Sequence, residues 1–307
     1  MGGAESRTVT MNMWEPEIRD QGLIERNKFG SIEFDIEPFD AGSFRYAFTG
    51  TICGSKPENF QSHRVVVKVF KSRFTKREDV LHDIAALQIA TKFANLFNGV
   101  SNINKTIKFC EPMVAQIREK GFNEWFLIWG GEQSGKYSID EYVTVEQFLD
   151  GGYMKWNSNW GYFQTDSITM PAFSHFTFHQ SDCDLLVCDL QGCQKGLEYH
   201  LTDPAIHSRD KKFGLTDCGS IGMLVFFATH KCNWICENFR KPKLSPKVIE
   251  LVDEAGLTCG SCSGSMYDFT ASRLVDNAKI QQFSADVLDG MNEQQQMASI
   301  CEIMKEL

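Results

Sequence analysis

The chain has 307 residues, which is enough for one large two-lobed domain or two modest domains. Its 42% hydrophobic and 12% aromatic residues support a sizeable core and exclude disorder over most of its length. A net charge of -9 without a dense run of Lys and Arg argues against nucleic acid as a partner, and every apolar run is shorter than the roughly 20 residues of a membrane span.

The cysteines and the N-terminus bear on the compartment. Eleven scattered cysteines without a secretory signal peptide favour reduced thiols over a disulfide framework, so we expect a cytoplasmic protein. Gly2 followed by Ser6 matches the loose pattern for N-myristoylation. We interpret it as a chance match, because no polybasic stretch follows to supply a second membrane anchor.

The first half of the chain predicts strands and one long helix. Residues 1–29 are polar and mixed, which is typical of a flexible arm, and a turn at Gly42-Ser43-Phe44-Arg45 predicts a hairpin. Apolar residues at helical spacing predict a helix over 76–97. Strands are predicted over 32–36, 46–48, 65–70, 124–129 and 142–148.

The second half predicts a strand over 184–189 and a helix over 223–239, separated by an irregular stretch over 192–222. Such long irregular stretches are usually functional. Residues 260–265 are rich in Gly and Ser and predict a linker. The segment 271–307 has helical periodicity with an apolar stripe, which either packs on the preceding domain or docks a partner.

One segment nearly spells the phosphate-binding loop of P-loop NTPases, namely Gly130-Gly131-Glu132-Gln133-Ser134-Gly135-Lys136-Tyr137. That loop requires a hydroxyl for magnesium after its Lys and a following helix N-terminus that cradles phosphate. Tyr137 instead opens a strand-like run. We therefore interpret the segment as a hairpin turn.

Two acidic motifs follow the strand over 184–189. Asp189-Leu190-Gln191-Gly192 places a carboxylate and an amide oxygen two residues apart, which suits magnesium held against nucleotide phosphates. Taken alone, this motif is also typical of a polar turn after a buried strand. Thr202-Asp203-Pro204 supplies a second carboxylate in a turn that Pro204 stiffens.

His230-Lys231-Cys232-Asn233-Trp234-Ile235-Cys236 carries three metal-binding side chains within seven residues, with the two thiols one helical turn apart. A closed structural zinc site needs a fourth ligand. The sequence leaves several candidates open: His175, His179, His207, or the pair Cys259 and Cys262. The two thiols also fit small buried groups in a helix.

Taken together, seven motifs occur in the order of the alpha-kinase domain, and the chain resembles this family of atypical protein kinases over about 30–245. The motifs are Gly42-Ser43-Phe44-Arg45, Val67-Lys68-Val69, Val145-Glu146-Gln147-Phe148-Leu149 continuing to Lys155-Trp156-Asn157-Ser158-Asn159, Phe173-Ser174-His175-Phe176-Thr177, Asp189-Leu190-Gln191-Gly192, Thr202-Asp203-Pro204, and His230-x-Cys232-Asn233-x-x-Cys236. Family members include myosin heavy chain kinases, elongation factor 2 kinase and channel-kinase domains.

The resemblance implies a two-lobed α+β fold with a mostly antiparallel N-lobe, a zinc-braced C-lobe and ATP between them. It implies that Lys68 contacts the ATP phosphates, that a short loop with Gly42, Ser43 and Arg45 covers them, that Glu146 lies where the chain meets adenine, and that Asn159 lies near the nucleotide. The implied division is an N-terminal arm at 1–29, an N-lobe at 30–145, a C-lobe with the zinc site at 146–255, and a linker with a helical extension at 256–307.

The resemblance also implies the metal ligands and the catalytic carboxylates. Asp189 and Gln191 would hold magnesium and act in catalysis with Asp203, although which aspartate is the base stays open. Of the candidate fourth zinc ligands, His175 matches the family, so the implied zinc set is His175, His230, Cys232 and Cys236. One departure affects Asp203: a longer loop, with an insertion at Gln194-Lys195-Gly196-Leu197-Glu198, separates it from Asp189.

We therefore expect an ATP-dependent, magnesium-assisted protein kinase that phosphorylates Ser or Thr in protein substrates. One alternative is a catalytically inactive, zinc-stabilised kinase-like interaction module. A second is a small-molecule kinase that uses the same ATP machinery. A loop from Phe213 to Gly219 precedes the zinc motif, and the resemblance gives its Asp217 and Cys218 a role in shaping the peptide-substrate site.

Overall fold

The computed structural model describes residues 6–9, 11–19, 22–29, 31–35, 37–42, 45–71, 75, 77–100, 103–117, 140–159, 161–164 and 166–244. Ser43, the predicted strand over 124–129, the segment 130–137, the linker over 260–265 and the predicted helices over 271–307 lie outside these residues. The chain divides into two compact units. The first comprises Met1–Ala85 and Cys110–Asp150, and the second comprises Ala86–Phe109 and Gly151–Leu307. The lobe boundaries implied by the resemblance remain a proposal.

The first unit contains an antiparallel sheet in the order β1-β4-β6-β7-β10-β9-β2-β3, with β5 beside β6. Alternation along the strands explains its core, since Ile32 and Phe34 of β4 and Val65, Val67 and Val69 of β7 are buried on one face. The mostly antiparallel N-terminal part is therefore confirmed. Its strands are β1 Ser6–Val9, β2 Met11–Arg19, β3 Gly22–Phe29, β4 Ser31–Asp35, β5 Asp40–Ala41, β6 Arg45–Cys53, β7 Arg64–Phe70, β9 Met113–Ile117 and β10 Tyr142–Gln147.

The N-terminal residues differ from the expectation of a flexible arm. Strands β1, β2 and β3 join the sheet, where β1 pairs with β4 and β2 pairs with β9. Their pairing uses backbone hydrogen bonds to strands distant in sequence, and polar composition alone does not reveal such pairing.

Helix α1, Arg77–Asn98, agrees with the predicted helix within one residue at each end. The residues that repeat at helical spacing are buried, namely Val80, Ile84, Leu87, Ala90, Ala94 and Phe97. Within the first unit, Val80 and Ile84 pack with Val114. Among the residues that the structure describes, no helix is long and apolar enough to cross a membrane.

In its described residues, the second unit combines two small sheets with the later part of α1, from Ala86, and two further helices. The larger sheet has the order β11-β13-β14-β8, in which β14 and β8 are parallel, and the smaller sheet pairs β12 with β15. Its elements are β8 Thr106–Phe109, β11 Tyr153–Lys155, α2 Thr169–Gln180, β12 Leu185–Cys188, β13 Gln191–Lys195, β14 Glu198–Thr202, β15 Ala205–Ser208 and α3 Gly219–Thr229.

Two predictions for this unit are wrong. The stretch over 192–222 is not irregular, because β13, β14 and β15 occupy its first part. The predicted insertion is the tip of the β13–β14 hairpin, where Lys195 pairs with Glu198 around a two-residue turn. The predicted helix over 223–239 begins earlier and ends at Thr229, so Cys232 and Cys236 lie in a turn beyond it.

Gly192→Ala should destabilise the second unit severely. Gly192 has a φ of 148°, and a Cβ there would lie 2.0 Å from the backbone oxygen of His200 on β14. The backbone of His200 cannot move aside as the end of a flexible side chain could. We therefore expect a loss of about 3 kcal/mol or more in unfolding free energy, measured by chemical denaturation. Gly196→Ala is the control: its φ is 60° but it has open space around it, so we expect only about 1 kcal/mol. Equal losses in both variants would contradict this account.

Candidate active site and metal centre

Lys68 and Glu146 form a buried ion pair in the first unit. Lys68 on β7 lies opposite Thr144 on β10, so Glu146, two residues along β10, presents its side chain on the same face of the sheet. Lys68 Nζ lies 2.7 Å from Glu146 Oε2, and the two side chains are only 9% and 6% exposed. The resemblance assigned Glu146 to the adenine region; the structure adds that its carboxylate fixes the ammonium of Lys68.

The turn before β6 places Arg45 against helix α1. Gly42 N–H donates a hydrogen bond to Arg45 O at 2.9 Å, which closes the turn. The Arg45 guanidinium forms a salt bridge with Asp83 and lies 4.5 Å from the centre of the Phe70 ring. Arg45 therefore braces the turn against its own unit.

Asp189 and Asp203 lie on two short connections that run side by side in the second unit. Asp189 connects β12 to β13, and Asp203 connects β14 to β15. The flanking registers bring the connections together, because Cys188 pairs with Ala205 and Gln191 pairs with Thr202.

Both aspartates have left-handed backbones, with φ of 58° at Asp189 and 48° at Asp203. Asp tolerates this conformation better than most residues. The hairpin tip at 194–198 points away along β13 and β14, so the longer loop does not move Asp203 away from Gln191. The structure thus brings together the three residues that the sequence proposed for magnesium and catalysis.

Lys155 faces the Asp189 carboxylate, a contact that sequence reasoning missed. Lys155 on β11 pairs directly with Gln191 on β13, and its ammonium forms a salt bridge with Asp189 Oδ1. The Gln191 amide nitrogen lies 3.4 Å from Asp189 Oδ2. Lys155 was part of a motif, but only the pairing of β11 with β13 shows its partner.

Asn157 holds the connection that carries Asp189. The N–H of Leu190, the residue after Asp189, donates to Asn157 Oδ1 at 2.8 Å, and Asn157 Nδ2 donates to Ser174 Oγ on α2 at 2.9 Å. The Asn157 side chain is 1% exposed. Its amide therefore satisfies two buried groups and anchors the turn between Asp189 and Gln191 to α2.

Asn159, proposed near the nucleotide, is tied to the loop before α3. Its side-chain nitrogen donates to Thr216 O at 3.4 Å. In the same loop, the Asp217 carboxylate accepts hydrogen bonds from the N–H groups of Ser208 and Gly219, each at 2.9 Å, and from the Ser208 hydroxyl. Asp217 thus organises the loop at the start of α3.

Four metal-binding side chains converge at the end of α3, namely His175, His230, Cys232 and Cys236, whose ligand atoms all lie within 4.8 Å of one another. Three of the distances are shorter: His175 Nδ1 lies 3.2 Å from His230 Nε2, His230 Nε2 lies 3.4 Å from Cys236 Sγ, and His175 Nδ1 lies 3.8 Å from Cys232 Sγ. Ligands around tetrahedral zinc are separated by roughly 3.3–3.8 Å, so this donor set and spacing fit zinc.

The surroundings of these side chains also fit a metal. His175 Nε2 lies 2.9 Å from Arg240 O, which leaves Nδ1 as the nitrogen facing the cluster. Burial lowers the pKa of His175 to about 4 and that of His230 to about 3, so both imidazoles are neutral at neutral pH. Burial raises the pKa of the Cys236 thiol to about 11, a penalty that a bound cation would offset.

The structure separates His175 from the other candidate fourth ligands. His179 stacks on Phe239 with ring centres 5.0 Å apart and accepts a hydrogen bond from Arg240 N. His207 lies on β15 and contacts Cys188 and Asn159. Cys259 and Cys262 lie outside the described residues. Of the alternatives within the described part of the chain, only His175 joins the cluster.

Comparison with solved structures defines the class of this fold. The chain matches the alpha-kinase domain of myosin heavy chain kinase A in complex with ADP over 76% of its own length and 96% of that domain, with a TM-score of 0.58 at 25% identity. It matches an alpha kinase from Entamoeba histolytica over 79% and 95% of the two chains, with a TM-score of 0.61 at 22% identity. The fold is that of an alpha-kinase domain.

Sequence comparison places the chain in the same class. Residues 40–236 match the alpha-kinase family, and the chain therefore belongs to that family. It is 33% identical over 218 residues to myosin heavy chain kinase B of Dictyostelium discoideum, covering 70% of this chain and 26% of that protein. It is 42% identical over 115 residues to human eukaryotic elongation factor 2 kinase, covering 36% and 15%.

A third relative, alpha-protein kinase vwkA of Dictyostelium discoideum, is 30% identical over 213 residues, covering 67% of this chain and 31% of that protein. The chain thus spans less than a third of the length of these curated relatives.

Proposed function

We propose that this chain is an ATP-dependent protein kinase that transfers the γ-phosphate to Ser or Thr hydroxyls of protein substrates with the help of magnesium. The observation that carries the proposal is the pair of adjacent connections that present Asp189, Gln191 and Asp203 at one edge of the second unit. Family membership supports the same activity, as does the ADP bound to a related domain. Relatives named for myosin heavy chain and elongation factor 2 support protein substrates.

Each proposed residue has a chemical task. Lys68, held by Glu146, would place a positive charge on the ATP phosphates, and the turn at Gly42, Ser43 and Arg45 would cover them. Asn159 would lie near the nucleotide. Either Asp189 or Asp203 would accept the proton of the substrate hydroxyl as its oxygen bonds to the γ-phosphorus and the bond from that phosphorus to the β–γ bridging oxygen breaks, so that ADP leaves.

The carboxylate of Asp189 and the side-chain amide oxygen of Gln191 are hard oxygen donors two residues apart, a donor set that suits magnesium. Magnesium, when bound, would neutralise charge on the phosphates. We further propose that His175, His230, Cys232 and Cys236 bind a structural zinc ion that braces the segment after α3.

The direct test is transfer of label from γ-labelled ATP by the purified chain, offered a protein mixture and a metabolite panel. We expect autophosphorylation and label on Ser or Thr of proteins, identified by mass spectrometry. ATP binding without transfer would instead support the inactive interaction module. Label confined to metabolites would support a small-molecule kinase.

Lys68→Met should lower the transfer rate by about 10²-fold or more, because a neutral side chain cannot hold phosphate charge. The double variant Lys68→Met, Glu146→Gln should stay inactive, but it also removes the buried negative charge that the ammonium of Lys68 compensated, so it should recover thermal stability. Lys71→Met is the matched control: Lys71 is exposed near the end of the same strand and should be dispensable. Wild-type rates in Lys68→Met would remove Lys68 from the site.

A further inference from the structure

His207 occupies a buried junction in the second unit. It lies on β15, is 1% exposed, and is neither a member of the cysteine cluster nor one of the residues proposed above for catalysis. Helix α3 approaches it so closely that a Cβ at Gly222 would lie 2.5 Å from its Nε2 atom. The ring is therefore enclosed by its own strand and by α3.

Both ring nitrogens of His207 are used. The N–H of Cys218, at the start of α3, donates to Nδ1 at 3.1 Å, so Nδ1 is an acceptor and the ring proton belongs on Nε2. Nε2 lies 2.9 Å from the backbone oxygen of Asn159 and donates to it. Burial lowers the pKa of His207 to about 4, so the ring is neutral and keeps this tautomer at neutral pH.

The third contact connects the ring to the strand before Asp189. Cys188 Sγ lies 3.4 Å from His207 Nε2, and the thiol has Ala205 O within 3.6 Å as an acceptor. One imidazole thus contacts three segments that are separate in sequence: the segment that contains Asn159, the start of α3 at Cys218, and the strand that ends beside Asp189.

We propose that His207 is a positioning residue for ATP binding, which fixes the segment of Asn159 against the loop that begins α3. This inference rests on the proposed function, because it takes Asn159 as a nucleotide contact. The hydrogen bond from His207 Nε2 is accepted by the main-chain oxygen of Asn159, so it sets the position of the whole residue. The side-chain bond from Asn159 to Thr216 joins the same two segments, so loss of His207 loosens the junction without dissolving it.

Two substitutions separate the two hydrogen bonds. In His207→Asn, the side-chain oxygen can take the place of Nδ1 and accept from Cys218 N–H, but nothing reaches Asn159 O. In His207→Gln, the longer amide can donate to Asn159 O. We expect the KM for ATP to rise about 5–10-fold in His207→Asn with kcat within about twofold, and to recover largely in His207→Gln.

The control is Ile206→Val, which removes a buried methyl group from the neighbouring position on β15, where the side chain lies on the opposite face of the strand from His207. It should lower the melting temperature and leave the KM for ATP unchanged. If all three variants change KM in proportion to their loss of stability, the positioning role is overturned. If wild type turns over no ATP, the proposed function itself fails, and the role of His207 fails with it.

An independent measurement covers the case in which the variants do not fold. Imidazole ¹⁵N shifts of the wild-type protein should identify the Nε2–H tautomer, and saturation with a non-hydrolysable ATP analogue should shift the His207 signals. Unchanged His207 signals at full analogue occupancy would overturn the proposal.

Discussion

Asp189→Asn should reduce phosphoryl transfer by about 10³-fold or more while the protein stays folded. The amide has the shape of the carboxylate and can still accept the hydrogen bond from the Gln191 side chain. It carries no charge, so it would hold a magnesium ion and the phosphates far less well. The measurement is kcat over a range of magnesium concentrations, and the concentration needed for half-maximal rate should rise.

The substitution also removes the carboxylate partner of the Lys155 ammonium. The Lys155 side chain is only 11% exposed, so its charge is then poorly compensated. A lower melting temperature is therefore expected and is not evidence about catalysis. Asp184→Asn is the matched control, because Asp184 precedes β12 and its ion pairs are exposed, at 3.6 Å to Lys212 and 4.0 Å to Arg209. If Asp189→Asn retained the wild-type kcat and magnesium dependence, Asp189 would have no place at the metal.

Helix α1 was predictable because its signal is local. Its apolar residues repeat at helical spacing, and the same residues are buried in the structure, including Val80, Ile84 and Ala90. Strand β7 was predictable for a similar reason, since a run of β-branched residues suits a strand that is buried over most of its length.

The hairpin of β13 and β14 was missed because its signal is not local. Gly192, Gln194 and Gly196 read as loop residues, whereas β14 is held by antiparallel pairing with β13 and by parallel pairing with the distant strand β8. Parallel pairing leaves no turn in the sequence to mark it. The same non-local registers bring Asp203 beside Gln191, which the motif order alone did not establish.

The supporting contacts of the site were also beyond sequence reasoning. Lys155 and Asn157 stood in a motif, but their roles depend on the pairing of β11 with β13 and on the approach of α2. His207 was considered only as a metal ligand. The sequence shows that it is a histidine, but it does not show which segments surround the ring. The spacing of Cys232 and Cys236 suits one helical turn, yet it is equally compatible with the turn in which they lie.

Cys236→Ala should yield insoluble or unfolded protein, because it removes one of the four proposed zinc ligands that hold the segment after α3. Cys236 is fully buried, and the backbone N–H of Asn233 lies 3.4 Å from its sulfur, so the side chain also supports its own turn. A structural zinc ion contributes its binding free energy to folding, and a site with three ligands loses most of that contribution. Elemental analysis of wild type should give about one zinc per chain.

Cys183→Ala separates loss of metal from loss of a small buried group. Cys183 is 3% exposed and packs in the core around α2 and α3, but it does not belong to the four-residue cluster. It should keep its zinc and lose only about 1 kcal/mol of unfolding free energy. Removal of metal from wild type by a strong chelator should reproduce the Cys236→Ala result. The same treatment of the Cys183→Ala protein should leave it no more stable than chelator-treated wild type. A folded, fully active Cys236→Ala protein would show that these thiols and imidazoles only fill the core.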